Sequence, residues 1–486
     1  MTFESNAPVI VGAAVTQQRF DDPRDAAEAG LLMRTALERA ADDAGSRRFL
    51  EIADLLLTPQ GTWRYTNPST IVAPWNPALR SVVADTGVLQ QTLIARACAM
   101  VADGSAGVVM VCGGEAKFRT LRTQITGLDA PDSVTIGAPD ERLVRPTEIL
   151  TQSEIERGLV VPARQYAMID TALRRAQSLS IPDHIDTLAS RWSDFNRIAQ
   201  TNPDAWTRTP VDRARFVDAD VSNPMLSWPY TKLHCSQWNV DQAAALIICS
   251  AATARTLGIA RERWVFAHVG VESNLTVPLP RRVEMHRSPA VAVVADALRR
   301  QCGLAPADFD HVDIYSCFPA AVRVQVAELG LTDERPLTVT GGMTFAGGPF
   351  NNYTLQATVK MVQVLRSDSG ARGLVTNVSG MLTKFGVSVW SCSPPARIFA
   401  AIDVSDEAAV VTGVADVDPD YSGVARALTY TVAFDKGDPV RGFVIAEAPD
   451  GRRCIASCDD ADVMSDMLTN DWCDRAVEVN GPTLVG

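Results

Sequence analysis

Two periods of apolar residues alternate along the first hundred residues. Pro8–Ala14 (PVIVGAA) is a short apolar run of strand character. Ala29, Leu32, Met33, Ala36, Leu37, Ala40 and Ala44 then fall three and four apart, as on one face of a helix. Asp22 offers an N-cap oxygen, Pro23 a preset first turn, and Gly45 a left-handed stop. A strand is expected over Ile52–Leu57. Residues 264–317 repeat this order: a strand at Trp264–Val271, Ser288 as N-cap, Pro289 in the first turn, Gly303 as stop, and a strand at Val312–Cys317 (VDIYSC). The closing units correspond too. A helix over about 88–103 leads through Gly104 into VVMVCGG, and one over about 352–366 leads through Gly373 into LVTNVSG. The repeat predicts a duplicated α/β core whose parallel strands are covered by helices.

Between the halves lies an insertion, Phe118–Trp238, with Pro203, Pro210, Pro224 and Pro229 among Trp192, Trp206 and Trp228. Helices such as Ala163–Leu179 interrupt irregular chain, which suits either the roof of an active site or a stabilising subdomain. After Pro394-Pro395 the pattern changes to short alternating runs, such as Leu428–Phe434 and Gly442–Ala446, separated by turn signals. About five strands and a helix near Asp460–Leu468 predict a small β-barrel, of the oligonucleotide/oligosaccharide-binding kind, packed onto the core. The expected units are therefore 1–117 with 239–259, the insertion 118–238, the second half 260–396, and the barrel 397–486.

Composition narrows the function. The chain has 486 residues, with Lys+Arg 45 against Asp+Glu 57, a net charge of −12. That balance argues against a general binder of nucleic acid or anionic membrane, since phosphate affinity needs excess cations. The start lacks a basic stretch followed by an apolar one, and Ala243–Cys249 (AAALIIC) is far shorter than the ~20 residues of a membrane span. Ten scattered cysteines form no zinc spacing, so the expectation is a reduced, cytoplasmic, metal-free protein.

Four segments carry a family resemblance: Pro229–Ala245 (PYTKLHCSQWNVDQAAA), His311–Pro319 (HVDIYSCFP), Leu337–Tyr353 (LTVTGGMTFAGGPFNNY) and Gly373–Val389. Together with the duplicated core they resemble the thiolase superfamily, in particular the sterol-carrier-protein-type thiolases and the thiolase-like proteins of type 1. The resemblance covers essentially the whole chain. It implies a duplicated thiolase fold with a layered α-β-α-β-α core, an inserted loop region and a C-terminal barrel. It also implies an acyl-CoA or CoA as substrate or ligand, no separate cofactor, and either a homodimer or a monomer.

In that family a cysteine at a helix N-terminus is acylated, a second cysteine in a C-x-G turn moves the proton, a histidine in G-H-P activates the nucleophile, and an N-E-A-F or H-D-C-F loop helps form an oxyanion hole. This chain departs at all four places. The nucleophile position reads Gly87, and Cys98, eleven residues further along the same helix, is ~16 Å away. G-H-P reads Gly347-Gly348-Pro349, C-x-G reads Asn377-Val378-Ser379, and H-D-C-F reads Tyr315-Ser316-Cys317-Phe318. Acylation of a cysteine therefore does not follow from the fold.

The remaining chemistry rests on few groups. Tyr315 and Cys317 share a face if their strand stays extended, and Cys317 precedes Pro319, a first helical residue whose dipole favours a thiolate. Both also suit a core position. Tyr315 occupies the family's oxyanion position, and some thiolase-fold aldolases of sterol side-chain CoA esters lack the cysteine and use tyrosines. Asn377 and Ser379 are donors for a thioester or hydroxyl oxygen, or simply turn residues. Gly87, Gly347 and Gly348 allow close approach of a ligand to backbone. His234, with Cys235 before an apolar helix (AAALIIC), would line the pantetheine channel or serve as a structural histidine. The expected site is thus Tyr315, Cys317, Asn377 and Ser379 for chemistry, with Gly87, His234, Gly347 and Gly348 for substrate. The expected function is an atypical acyltransferase or a retro-aldol C–C lyase on acyl-CoA; the alternative is a silent acyl-CoA-binding or scaffold protein.

Overall fold

A computed structural model describes residues 3–144, 148–332 and 334–485. Strand β1 (Pro8–Gln18) leads to helix α1 (Ala29–Ala44), strands β2 (Leu55–Pro59) and β3 (Arg80–Ala84), helix α2 (Gln90–Asp103) and strand β4 (Val108–Ala116). The insertion contributes α3 (Pro162–Ala176) and α4 (Ile181–Thr201). There follow β5 (Asp241–Ser250), β6 (Val265–Ser273), α5 (Pro289–Cys302), β7 (His311–Asp313), α6 (Pro319–Glu328), α7 (Tyr353–Ser367), β8 (Arg372–Ser379) and β9 (Lys384–Ser391).

The strands lie in the order β7-β8-β9-β6-β1-β5-β4-β2-β3, with Glu141–Leu143 on the outer edge of β3. In the first half β5 runs antiparallel to both β1 and β4, while β4, β2 and β3 are parallel. In the second half β9 runs antiparallel to both β6 and β8, while β8 and β7 are parallel. The two halves thus share one pairing pattern and meet through Val9 opposite Phe266 and Ile10 opposite Val265. Helix α1 covers the first half and α5 the second; α2 and α7 touch strands of both, which gives a helix–sheet–helix–sheet–helix stack.

Several sequence expectations are corrected. The sheet is mixed, because β5 and β9 run antiparallel to their neighbours. AAALIIC belongs to β5 and is not a helix; every residue from Ala243 to Cys249 is fully buried between neighbouring strands and two helical layers. A strand buried on both faces loses its alternation, so its pattern does not differ from that of a buried helix. Glu28, not Asp22, precedes α1, and Asp22 instead accepts from the backbone of Arg24 in a turn. A short helix occupies Arg48–Ile52, which delays β2 to Leu55, and β7 ends at Asp313. The glycine stops hold: Gly45, Gly104 and Gly303 have φ of 78°, 79° and 71°.

The C-terminal strands β10 (Ser422–Asp435), β11 (Asp438–Glu447), β12 (Arg453–Cys458), β13 (Ala476–Asn480) and β14 (Thr483–Leu484) include one helix, α8 (Ala461–Thr469). Strand β10 pairs with both β11 and β13, and β12 joins β11 to β14, so the ring closes into a small barrel. It sits on the insertion: Thr429 donates to the Met168 carbonyl in α3, and Tyr430 stacks on Trp228 at 5.3 Å.

Candidate functional site

A cavity of about 750 Å³ opens where the N-terminus of α2, the chain after β7, the glycine-rich 341–348 loop, the turn after β8 and the insertion meet. Each wall has a local cause. Gly87, at φ 97°, turns the chain into α2. At the end of β7, the buried Asp313 carboxylate accepts from Thr338 Oγ1 (2.8 Å), the Val339 and Thr340 backbones (2.9 and 3.1 Å), Thr340 Oγ1 (3.0 Å) and Tyr353 Oη (3.1 Å). Burial pushes its pKa up against those donors. One acid thereby ties the strand end to the glycine loop and to α7.

Two residues further on, the Tyr315 backbone N–H donates to Thr376 Oγ1 (2.8 Å), and its ring stands edge-on to Tyr353 at 5.7 Å and 84°. The strand has ended, yet the alternation continues. Tyr315 and Cys317 face the cavity, while Ser316 turns inward and accepts from the Met343 backbone at 3.0 Å. Burial pushes the Tyr315 phenol well above its ordinary range, against the Gln90 side chain, which favours ionisation. Burial pushes the Cys317 thiol up to about 12, opposed by the Tyr166 hydroxyl and the Phe318 backbone.

On the opposite wall, Asn377 Oδ1 accepts the Gln91 backbone N–H at 3.0 Å, one of the free donors at the start of α2. That bond fixes the amide; its NH₂ reaches the Val378 carbonyl at 3.5 Å and has a second proton for a further acceptor. Ser379 Oγ reaches the Gly87 carbonyl at 3.5 Å, and the fully buried Lys384 Nζ donates to the same carbonyl at 3.0 Å. At Gly348 an added Cβ would lie 1.9 Å from Ser236 Oγ. At Gly347 (φ +99°) it would lie 2.1 Å from Gln242 Oε1.

The cavity therefore brings together Tyr315, Cys317, Asn377, Ser379, Gly87 and Gly348. Gly347 and His234 stand behind the wall. His234 is buried among Trp192, Phe216 and Tyr230, and burial lowers its pKa to about 4, so it is neutral at pH 7. Its neighbours Lys232, Cys235 and Ser236 line the cavity instead. Sequence reasoning missed Tyr166 and Lys384. Tyr166, from α3, lines the cavity with its ring stacked on Phe318 at 4.6 Å. Helical period alone places it on a buried face, and nothing local marks it as chemical. Lys384, opening the fully buried KFGVSVWS strand, is a detectable oddity because buried lysines are rare.

Among the described lining residues there is no carboxylate, and Lys232 is the one charged side chain. Ile149, Val161, Leu226, Trp238, Met343, Phe350 and Met381 make much of the wall apolar. Among the described residues no group of three or more His, Cys, Asp or Glu is arranged to hold a metal ion, and no helix is long and apolar enough to cross a membrane.

Comparison with known proteins adds to this geometry. Residues 406–481 match the family described as the thiolase-like protein type 1 additional C-terminal domain. The 17-hydroxy-3-oxo-4-pregnene-20-carboxyl-CoA lyase of Mycobacterium tuberculosis (strain ATCC 25618 / H37Rv) is 29% identical over 177 residues. That match takes in 36% of this chain and 43% of the lyase, so the chain spans less than half the length of that relative. Among solved structures, a monomeric SCP2-thiolase like protein type 1 from Mycobacterium smegmatis has a TM-score of 0.83 at 25% identity, covering 98% of this chain and 97% of its own. The Ltp2-ChsH2(DUF35) aldolase follows at 0.61 and 19%, covering 80% of this chain and 99% of its own. The acetyl-CoA acetyltransferase of Syntrophomonas wolfei gives 0.57 and 16%, covering 80% of this chain and 100% of its own. The last two show likeness of fold.

Proposed function

We propose that this chain, which belongs to the thiolase superfamily, breaks or forms a C–C bond in an acyl-CoA thioester by retro-aldol chemistry, with no acyl-cysteine intermediate. The observation that carries the reading is the meeting of Tyr315, Asn377 and the N-terminus of α2 around one largely apolar cavity, with glycine at position 87. A thioester oxygen seated there faces the Asn377 amide and the positive end of α2, both of which favour the negative charge of an enolate. Tyr315 keeps its proton at neutral pH, which suits a donor to that oxygen. The cavity volume leaves room for a bulky apolar acyl group beside pantetheine. The lyase name of the 29%-identical relative supports the same class of reaction.

A monomeric, cytoplasmic protein fits this reading. The outer edge of β3 is already paired by the chain's own Glu141–Leu143, and the ten cysteines are unpaired. The second reading, a silent acyl-CoA binder, draws on the glycines at 87 and 348. Turnover of a β-hydroxyacyl-CoA with a bulky apolar substituent decides between them. Tyr315→Phe should lower turnover ~10²–10⁴-fold with CoA binding nearly intact. Tight acyl-CoA binding without any turnover by wild type favours the silent binder.

A further inference from the structure

A second, much smaller cavity of about 30 Å³ is built around Arg282 and the start of α5. Arg282 is 4% exposed, and burial lowers its pKa only to about 10, so it is charged at neutral pH. Its Nε donates to the Val277 carbonyl (3.0 Å) and its Nη2 to the Met381 carbonyl (2.5 Å), both neutral acceptors. Nη1 is buried and, among the described residues, has no hydrogen-bond partner. Glu154 favours the charged form, but its two oxygens are taken by Thr151 and Gln165. A buried guanidinium bonded to neutral carbonyls carries a desolvation cost that a counter-ion offsets. The facing wall is the N-terminus of α5. Ser288 stands at its cap position, yet the hydroxyl makes no capping bond, and Pro289 has no N–H. Ala290, whose N–H has no acceptor within the helix, lines the same space at the positive end of a 14-residue helix. Glu284 and Arg287 complete the charged lining; both are exposed and pair with each other at 3.5 Å, and Arg287 also pairs with Glu328 at 2.8 Å.

We propose that this cavity binds one small inorganic anion of halide size, held by Arg282 Nη1, the Ser288 hydroxyl and the start of α5. The guanidinium and the helix end are of one sign, and the one carboxylate in the lining, Glu284, is already paired with Arg287. A water would satisfy Nη1 but leave the charge uncompensated. A single water needs about 10–15 Å³, so the space admits an ion of one or a few atoms and excludes the pyrophosphate of CoA. The site stands whether or not the protein is a lyase. It shares a wall with the larger cavity: Gly380 and Met381 line the larger one, Leu382 and Thr383 the smaller. Gly380, Met381 and Leu382 have φ of 60°, 53° and 70°, three left-handed residues in succession, and the bond from Arg282 holds the middle one. An anion that fixes Arg282 therefore braces that wall.

Bromide is the probe, because it is close to chloride in size and scatters anomalously. Crystals of the full chain soaked in sodium bromide should show an anomalous peak within hydrogen-bond reach of Arg282 Nη1. In chloride-free solution, about 100 mM bromide in place of gluconate, which is too large for the cavity, should raise Tm by about 2–3 °C for a site of millimolar affinity. Ser288→Ala removes one donor to a charged ligand, so about tenfold more bromide should be needed for the same rise. Arg282→Gln should abolish the rise. Because Arg282 also holds Met381, Ser288→Ala decides alone if Arg282→Gln does not fold by circular dichroism. The same bromide response in wild type and folded Ser288→Ala overturns the proposal, as does the lack of a peak beside Arg282. A peak in the crystal without a bromide-dependent rise in Tm means an adventitious ion only and overturns it too.

Discussion

Glu115 offers a test of the account that needs no substrate. It is the penultimate residue of β4, is 2% exposed, and accepts the Thr62 backbone N–H at 2.7 Å and the Thr62 hydroxyl at 2.6 Å. Those bonds hold the loop after β2, where the Gln60 carbonyl accepts from Asn351 Nδ2 at 3.2 Å, and Asn351 is part of the cavity wall. Burial is the largest influence on Glu115 and, with neighbouring Asp241, outweighs the Thr62 donors, so its pKa rises from 4.5 to about 7. Between those values the folded chain holds a proton that the unfolded chain has lost. Stability therefore falls as pH rises through that window and stays lower above it. A rise of about 2.5 units corresponds to about 3 kcal/mol, or about 3 °C in Tm for a chain of this length. Glu115→Gln keeps the shape, with its Oε1 accepting the Thr62 N–H and its Nε2 donating to the Thr62 hydroxyl, but cannot ionise. Guanidinium unfolding followed by tryptophan fluorescence should show the variant near wild type at pH 4.5 and more stable by about 3 kcal/mol at pH 8. Asp241, raised by burial to about 6, sustains a smaller decline with pH in the variant. Parallel pH dependences for the two proteins would refute the reasoning.

Three further outcomes follow from the same geometry. Gly348→Ala drives a Cβ to 1.9 Å from Ser236 Oγ at the cavity wall; calorimetry should show weakened CoA binding, and melting a loss of about 1–3 kcal/mol. A chain ending near Pro395 loses the barrel strand that covers Trp228 and α3. With each uncovered large side chain costing about 1.5–3 kcal/mol, it should melt lower and aggregate, whereas an unchanged core transition would show the barrel to be separable. In the lyase reading Cys317→Ala should lower turnover less than Tyr315→Phe does, because the phenol stands nearest the Asn377 and α2 donors; steady-state kinetics with the cysteine variant the slower of the two would overturn that order.

What the sequence made legible was what local chemistry decides. Gly45, Gly104 and Gly303 stop helices because only glycine enters the left-handed region without a steric penalty, and that rule needs no tertiary context. The repeated order of strands and helices pointed to two matching halves. That β5 is a strand was illegible, because its burial on both faces erases the alternation that marks one. The candidate site was legible where the chain is continuous: Tyr315 and Cys317 alternate into the cavity as spacing alone implied. Tyr166 lies far from both in sequence. Its part comes from the docking of α3 over the cavity, a tertiary event that no local pattern carries, and His234 stands behind the wall for the same reason.

The most direct test is a single turnover. Wild-type protein in excess over a bulky β-hydroxyacyl-CoA is quenched at successive times, with both products and the intact protein mass followed together. The shortened acyl-CoA and the carbonyl fragment should appear at one rate, with the protein mass unchanged throughout, because Gly87 offers no nucleophile where the family's acylated cysteine stands. A stoichiometric acyl adduct that forms and decays at a catalytically competent rate would contradict the account, and peptide mapping would then name the residue that carries it.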